Sequence, residues 1–311
     1  MKNNILPKPL KKGDKIALIS PAGAVGPLQL DKGIQMIKDK GFEPVLGKHL
    51  YTKFSHGYNY AGTEKERIKD LNWALNNPEI SAIWASRGGY GCQHLVENLN
   101  VKEFTKNPKW YIGYSDNTVV QSYLLKKGFA SIHGQTVKTS SFGVTGESYD
   151  LIFNVLKGET LKYSLKSHQF NKKGAVEGEL IGGNLALIYA LLGTKYSFDF
   201  KDKILFIEDI GESFYALDRM VMSLELAGVF KKIKGLIIGG MTNMGDEKDN
   251  KNYAESFDEF AYQLISERIL KYHFPVVFGF PNGHIQDNRP LIIGGNVTLE
   301  VGKVTSLNFN H

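Results

Sequence analysis

Short apolar runs that end in glycine or serine turns, each followed by a helical pattern, recur through the first half of the chain. Ile16–Ser20 is typical of a buried strand, and Leu30, Ile34 and Ile37 then fall on one helical face. Ala82–Ala85 starts the pattern again. Consecutive parallel strands need a crossover connection, which is usually a helix. We therefore expect an α/β fold with a parallel sheet and flanking helices.

The chain of 311 residues exceeds the usual size of a single hydrophobic core, so two domains are expected. The alternation stops between about Lys157 and Gly178, where lysine, serine and glycine dominate. We predict an N-terminal α/β domain over residues 1–160, a linker over 161–177 and a smaller, β-rich C-terminal domain with helices over 178–311.

Composition excludes several classes of protein. The net charge of +6 is dispersed, and a basic cluster such as Lys231–Lys234 is more typical of a solvated turn than of a nucleic-acid site. No apolar run reaches the roughly 18 residues of a membrane span. The single cysteine, Cys92, excludes an intramolecular disulfide and a four-cysteine zinc site, and favours the cytoplasm.

One strand leads into a serine that could be a nucleophile. Trp110–Gly113 is an aromatic and β-branched run, and Ser115 follows just before residues that can start a helix. A sharp strand-to-helix turn exposes such a hydroxyl beside the N–H groups of the helix's first turn. Asn117 stands where the nucleophile-elbow pattern has its second glycine. The motif alone leaves a catalytic serine and a helix-capping serine equally open.

A serine nucleophile needs a base and an orienting carboxylate. Glu208 and Asp209 come where the apolar strand Ile204–Ile207 ends, and His284 follows a later strand in a turn fixed by proline and glycine. Strand ends are where α/β folds expose functional groups. Each residue could instead be structural, and position alone slightly favours function.

The glycine-rich turn Arg87–Gly91 brings backbone N–H groups within reach of an anion. The anion could be a phosphate or an oxyanion, although the spacing fits neither nucleotide-binding fingerprint. A tight strand–helix turn with no ligand is the other interpretation.

A metal site is a weaker hypothesis. His94 and Glu97 have the His-x-x-Glu spacing of some zinc carboxypeptidases, but no third ligand is specified. A solvated helix face explains them better, and we expect neither a metal nor another cofactor.

Taken together, these segments resemble the L,D-carboxypeptidases of peptidoglycan recycling, a family that includes the microcin C immunity hydrolases. The resemblance spans nearly the whole chain. The matching segments are Ser20–Gly23, Ala61–Thr63, Ser86–Gly91, Gly113–Asp116, Gly182–Leu185, Ile207–Asp209 and Gly283–His284.

The resemblance implies a Ser–His–Glu triad. Ser115 would be the nucleophile, His284 the general base and Glu208 the residue that orients the imidazole, with Asp209 a less favoured orienter. The oxyanion hole would consist of the backbone N–H groups of Gly89 and Asp116.

The resemblance also implies a flavodoxin- or Rossmann-like first domain, a mostly β second domain and a cytoplasmic homodimer. The reaction would remove the terminal D-alanine of a small peptide, the murein tetrapeptide, through an acyl-enzyme. Arg87 and Asn184 are candidate substrate-binding residues. No nucleic-acid or membrane partner is expected.

Two alternatives remain at this point. The first is hydrolysis of a peptidyl-nucleotide antibiotic, as in the immunity members, which carry an aromatic-bearing loop for stacking a nucleobase. Residues 241–251 contain no tryptophan, which favours the cell-wall substrate. The second is a non-catalytic protein that binds muropeptides.

Overall fold

The computed structural model describes residues 4–245 and 258–310. The chain divides into two compact units. The first contains the residues up to Glu159 together with Arg289–Leu291, and the second contains Thr160–Asn288 together with the residues from Ile292 onward. No helix within the described ranges is both long and apolar enough to cross a membrane.

The secondary structure alternates in the first unit and is richer in strands in the second. The strands are β1 (Lys15–Ile19), β2 (Glu43–Leu46), β3 (Phe54–His56), β4 (Tyr58–Tyr60), β5 (Ile80–Ala85), β6 (Trp110–Gly113), β7 (Ser131–His133), β8 (Lys162–Lys166), β9 (Gly174–Asn184), β10 (Ile204–Ile210), β11 (Gly235–Thr242), β12 (Val276–Val277), β13 (Leu291–Ile293), β14 (Asn296–Val301) and β15 (Val304–Asn310). The helices are α1 (Asp31–Asp39), α2 (Glu64–Asn76), α3 (Thr118–Lys126), α4 (Gly146–Leu156), α5 (Leu185–Leu191), α6 (Phe214–Leu226), α7 (Val229–Lys232) and α8 (Glu259–Ile269).

The first sheet has the strand order β2-β1-β5-β6-β7-β13, and the neighbours from β2 to β7 pair in parallel. With the hairpin β3-β4 set aside, this is the flavodoxin-like order, which confirms the expected α/β class. The order reverses between β1 and β5, and ligands of such sheets bind outside the strand ends at this switch point. Ser20 and Ser86 follow these two strands, and their hydroxyl oxygens lie 2.6 Å apart.

The second sheet is mixed, with the order β12-β11-β10-β9-β14-β15-β8. The strands β9 to β12 pair in parallel, whereas β14, β15 and β8 continue from β9 in antiparallel pairs. Helices α5 to α8 belong to the same unit. The expectation of a second domain that is mostly β with helices is confirmed.

Residues 161–177, expected to form a linker, contain β8 and the beginning of β9. Strand β8 alternates in burial: Tyr163 is buried and Leu165 is partly buried, whereas the lysine and serine residues beside them are exposed. The Tyr163 ring packs edge-on against Phe280 at 5.3 Å between centroids. This alternation is the period-2 signal of a half-buried strand, and the lysine-, serine- and glycine-rich composition of the whole segment obscured it.

Gly182 is required where β9 meets β10. It pairs with Phe206 in the parallel ladder, has φ of +127°, and a Cβ at this position would overlap the Phe206 carbonyl oxygen. Both the space and the backbone conformation exclude a side chain. Gly178, earlier in the same strand, would place a Cβ no closer than 3.5 Å to any neighbour.

We predict that Gly182→Ala lowers the free energy of unfolding by about 2–5 kcal/mol, because it adds backbone strain to a steric clash. The matched variant Gly178→Ala should change it by less than about 1 kcal/mol. Urea unfolding followed by circular dichroism compares the two. Equal losses would contradict the close approach at Gly182.

Candidate active site

Ser115 occupies a strained turn between a strand and a helix. Tyr114 continues β6 with φ of −149°, Ser115 then has φ of +62°, and a single 3-10 turn leads into α3. The other residues of the described ranges with positive φ, apart from glycines, are Asp202 and Asn243, types that tolerate this conformation. Ser115 is partly exposed between buried neighbours. This is the geometry of a nucleophile elbow.

The buried side chain of Asn117 stabilises the nucleophile elbow through hydrogen bonds. The Tyr111 hydroxyl donates to Asn117 Oδ1 at 2.6 Å, and Asn117 Nδ2 donates to the Tyr114 carbonyl at 3.0 Å. A Cβ on Gly113 would lie 2.8 Å from Asn117 Cγ, so only glycine fits beneath it. The asparagine that departs from the elbow pattern thus contributes to holding the turn.

The glycine turn after β5 packs directly on this serine. A Cβ on Gly88 would lie 2.9 Å from Ser115 Cβ. Asp116, the next residue, is buried, and its Oδ2 accepts the Cys92 backbone N–H at 2.8 Å. Burial raises the pKa of Asp116 above its ordinary value, although the hydrogen bond from the Cys92 N–H acts to lower it. Within the described part of the chain, the Gly89 N–H donates to no protein acceptor.

Arg67 connects the loops that follow β1 and β5, a role that its position in the sequence did not predict. Its buried guanidinium donates to the carbonyl oxygens of Pro21 at 2.8 Å and Gly91 at 2.9 Å, and it lies 5.0 Å from the Tyr60 ring centroid. Burial lowers the pKa of this guanidinium. The available signal was its spacing of four residues from Leu71 on the apolar face of α2.

In the second unit, Glu208 and His284 form a buried pair. Glu208 Oε2 lies 2.8 Å from His284 Nδ1, and since a carboxylate only accepts, Nδ1 donates and Nε2 is left as the acceptor. The pairing register of β10 on β11 shifts between Ile207 and Asp209, as in a β-bulge that redirects a side chain. A Cβ on Gly283 would lie 2.9 Å from Glu208 Oε2, so glycine is needed beside the carboxylate.

Burial and the neighbouring carboxylate have opposing effects on the pKa of His284. Burial is the largest single effect and acts to lower the pKa of His284, but the charge and hydrogen bond of Glu208, together with the charge of Asp209, raise the pKa above the ordinary value. The structure therefore holds a base with a fixed tautomer and a raised proton affinity.

Asp209 and Asn184 contact each other and the start of α5. Asn184 Oδ1 accepts the Leu187 N–H at 3.2 Å, and Asn184 Nδ2 donates to Asp209 Oδ1 at 2.9 Å. Asp209 Oδ2 accepts the Ala186 N–H at 2.9 Å. Burial, and then the charge of Glu208, raise the pKa of Asp209 to about 7. Both side chains thus contribute hydrogen bonds to the fold around Glu208.

The remaining candidates make local contacts. The Arg87 guanidinium donates to the Ala24 carbonyl at 3.0 Å. His94 Nδ1 lies 3.5 Å from Glu64 Oε1. In residues 4–245 and 258–310, no group of three or more histidine, cysteine, aspartate or glutamate side chains could hold a metal ion.

Comparison with protein families matches both halves of the chain. Residues 16–134 match the LD-carboxypeptidase N-terminal domain, and residues 177–299 match the LD-carboxypeptidase C-terminal domain. The chain belongs to the LD-carboxypeptidase family. Ser115 falls in the range of the N-terminal domain of this family, and Glu208 and His284 fall in that of the C-terminal domain.

Relatives within the LD-carboxypeptidase family have two kinds of names. The probable murein peptide carboxypeptidase of Bacillus subtilis is 30% identical over 98% of this chain and 94% of its own. The microcin C7 self-immunity protein MccF of Escherichia coli is 27% identical over 95% of this chain and 93% of its own. The crystal structure of muramoyltetrapeptide carboxypeptidase from Oxalobacter formigenes superposes with a TM-score of 0.83 at 28% identity. The superposition covers 96% of this chain and 99% of the other.

We predict that Glu208→Gln lowers the pKa of His284, because burial then acts without the carboxylate's charge. Histidine NMR titration measures this pKa, and Glu212→Gln, which removes a carboxylate on the loop after β10, is the control that should leave it nearly unchanged.

The same pair makes the stability of the fold depend on pH, because in the wild type the folded-state pKa of His284 is raised. The pair therefore stabilises the fold fully below about pH 6.5, and this contribution is lost as pH rises through the folded pKa. An unchanged pKa in Glu208→Gln would contradict the pairing.

Proposed function

We propose that the chain is a serine-type L,D-carboxypeptidase in which Ser115 is the nucleophile, His284 the general base and Glu208 the residue that orients it. The observation that carries the proposal is the φ of +62° at Ser115, a strained conformation at the strand–helix turn where such nucleophiles occur. The bond between Glu208 and His284 Nδ1 supports the other two roles, since with the proton on Nδ1 it is Nε2 that acts as the proton acceptor.

In this mechanism Ser115 Oγ attacks the substrate carbonyl while His284 Nε2 takes its proton. Glu208 stabilises the imidazolium that forms, and the N–H groups of Gly89 and Asp116 donate to the oxyanion, each contributing about 2.7–4 kcal/mol to the transition state. His284 then protonates the leaving amine, and an acyl-enzyme on Ser115 remains. Water activated by the same imidazole hydrolyses that ester.

The proposed substrate is the murein tetrapeptide, from which the enzyme removes the terminal D-alanine at the bond after the L-centre of the diamino acid. The names of the Bacillus subtilis and Oxalobacter formigenes proteins support this choice. A role in peptidoglycan recycling, a cytoplasmic location and a homodimeric assembly belong to the same proposal. Arg87 and Asn184 remain proposed substrate-binding residues.

A second candidate function is hydrolysis of a peptidyl-nucleotide, which the similarity to MccF favours. The lack of tryptophan in residues 241–251 disfavours this function, and residues 246–251 of that stretch lie outside the described residues. The three tryptophans of the chain, Trp73, Trp84 and Trp110, all precede the second unit, which agrees with the preference for the cell-wall substrate.

We predict that Ser115→Ala lowers kcat for D-alanine release from murein tetrapeptide by about 10⁴-fold or more, because no nucleophile remains. Glu208→Gln should cost about 10²–10⁴-fold, since the imidazole loses its orienting charge. Ser141→Ala removes an exposed hydroxyl that donates to the Gln29 carbonyl, and it should be nearly wild-type.

Amino-acid analysis of the released product measures these rates, with a peptidyl-nucleotide assayed in parallel. Equal rates in Ser115→Ala and wild type would overturn the proposal. Turnover of the peptidyl-nucleotide alone would select the second function. Tight binding of tetrapeptide without release would instead indicate a non-catalytic binding protein.

A further inference from the structure

Two loops of the first unit meet at the peptide group that carries the proposed Gly89 donor. The Gly88 carbonyl accepts the Gly23 N–H at 3.1 Å, and Gly23 belongs to the loop after β1. A peptide group is planar and trans, so its C=O and its N–H point in opposite directions. The bond at the Gly88 carbonyl therefore sets the direction of the Gly89 N–H.

The glycine turn needs such contacts because its own backbone is permissive. Gly89 and Gly91 have φ of +112° and +129°, and Gly88 also lacks a side chain. Glycine has the widest conformational freedom of all residues, so a turn of this composition keeps one conformation when contacts from outside hold it. The direction of the Gly89 N–H thus depends on groups of other segments.

Arg67, on α2, bonds both segments with one nitrogen atom. Its Nη1 donates to the Pro21 carbonyl at 2.8 Å, two residues before Gly23 in the chain. The same atom donates to the Gly91 carbonyl at 2.9 Å, two residues after Gly89. The side chain is buried, and a Cβ on Gly91 would lie 2.6 Å from this nitrogen. Arg67 therefore holds the loop after β1 against the glycine turn.

The segment that Arg67 holds also reaches the second proposed donor. Directly after Gly91, the Cys92 N–H donates to Asp116 Oδ2 at 2.8 Å. Asp116 carries the other N–H of the proposed oxyanion hole. The far end of the glycine turn is therefore bonded both to Arg67 and to the residue that carries this second donor.

We propose that Arg67 is a positioning residue of the oxyanion hole, which aims the Gly89 N–H at the developing oxyanion by fastening the loop after β1 to the glycine turn. This inference rests on the proposed function, because it takes Gly89 as an oxyanion donor. A donor stabilises the transition state most when it already points at the place where charge develops. Loss of the guanidinium should therefore slow the chemical step and leave ground-state binding unchanged.

The test is Arg67→Met, which removes the donors and keeps a long apolar side chain. We expect kcat for murein tetrapeptide to fall about 10–100-fold, part of the effect of losing a whole donor, with KM within about 2-fold of wild type. Arg67→Lys keeps a cation, whose compact ammonium can replace one of the two bonds, so its kcat should lie between those of Arg67→Met and the wild type.

Lys109→Met is the matched control, because Lys109 is another buried cation that donates to backbone carbonyls, at the opposite end of α2. Its Nζ donates to the carbonyls of Leu75 at 2.9 Å and Asn77 at 2.6 Å. Loss of these bonds should lower the melting temperature, as loss of Arg67 does, but leave kcat within about 2-fold of wild type. An equal loss of kcat in Lys109→Met and Arg67→Met would overturn the inference, because the loss would then follow from a weakened fold.

A peptide aldehyde that ends at the residue before the scissile bond measures the oxyanion hole without turnover. Ser115 Oγ adds to the aldehyde carbon, and the oxygen of the resulting hemiacetal occupies the place of the oxyanion. Because such adducts resemble the transition state, the inhibition constant should rise in Arg67→Met by about the factor by which kcat falls, and stay unchanged in Lys109→Met.

An unchanged aldehyde affinity in Arg67→Met would overturn the inference. A raised KM with wild-type kcat would overturn it too, because Arg67 would then act in substrate binding. Arg67→Met and Arg67→Lys proteins that both fail to fold would also contradict it, since the guanidinium would then support the fold.

Ser115→Ala separates this inference from the function on which it rests. An active Ser115→Ala enzyme would refute the serine mechanism. An inactive Ser115→Ala enzyme beside a fully active Arg67→Met enzyme would refute only the role of Arg67.

Discussion

The backbone of Ser115, held at φ of +62°, is the constraint around which the first unit is organised. A serine in this conformation costs about 1–3 kcal/mol, so it persists only where the surroundings over-determine it. Asn117 braces the turn from within, Gly88 packs on the serine Cβ, and Asp116 ties the serine's helix to the glycine turn. The strain and its supports meet at the switch point of the sheet, where open α/β folds bind ligands.

The main constraint in the second unit is a buried carboxylate. Glu208 is fully buried, a placement that costs several kcal/mol unless the charge is paired and hydrogen-bonded. His284 supplies the pairing, and the register shift of β10 with Gly283 gives the carboxylate room. The same contacts that compensate for the buried charge also fix the imidazole tautomer, so stability and the capacity for base catalysis have one structural origin.

The sequence predicts the fold class because apolar periods and glycine turns are local signals. The strand order is not a local property, since β5 pairs with β1 and not with β2, the strand before it in the sheet's chain order. Glu208 and His284 are predictable as polar residues that follow apolar runs, although β10 continues through Glu208 to Ile210 instead of ending at Ile207, and the structure places the two side chains in contact. Arg67 is not predictable in this way, since its hydrogen bonds go to loops distant in sequence. The short alternation of Tyr163 and Leu165 in β8 is obscured by the lysine- and serine-rich segment around it.

The central claim is that Ser115 is the nucleophile of a Ser–His–Glu hydrolase. A phosphonate analogue of the murein tetrapeptide with a good leaving group tests it most directly, because it modifies an activated serine covalently. Peptide mass spectrometry should locate a single adduct on Ser115, formed far more slowly in His284→Ala. A preparation that hydrolyses the tetrapeptide but carries the adduct on another residue, with Ser115 unmodified, would contradict the account.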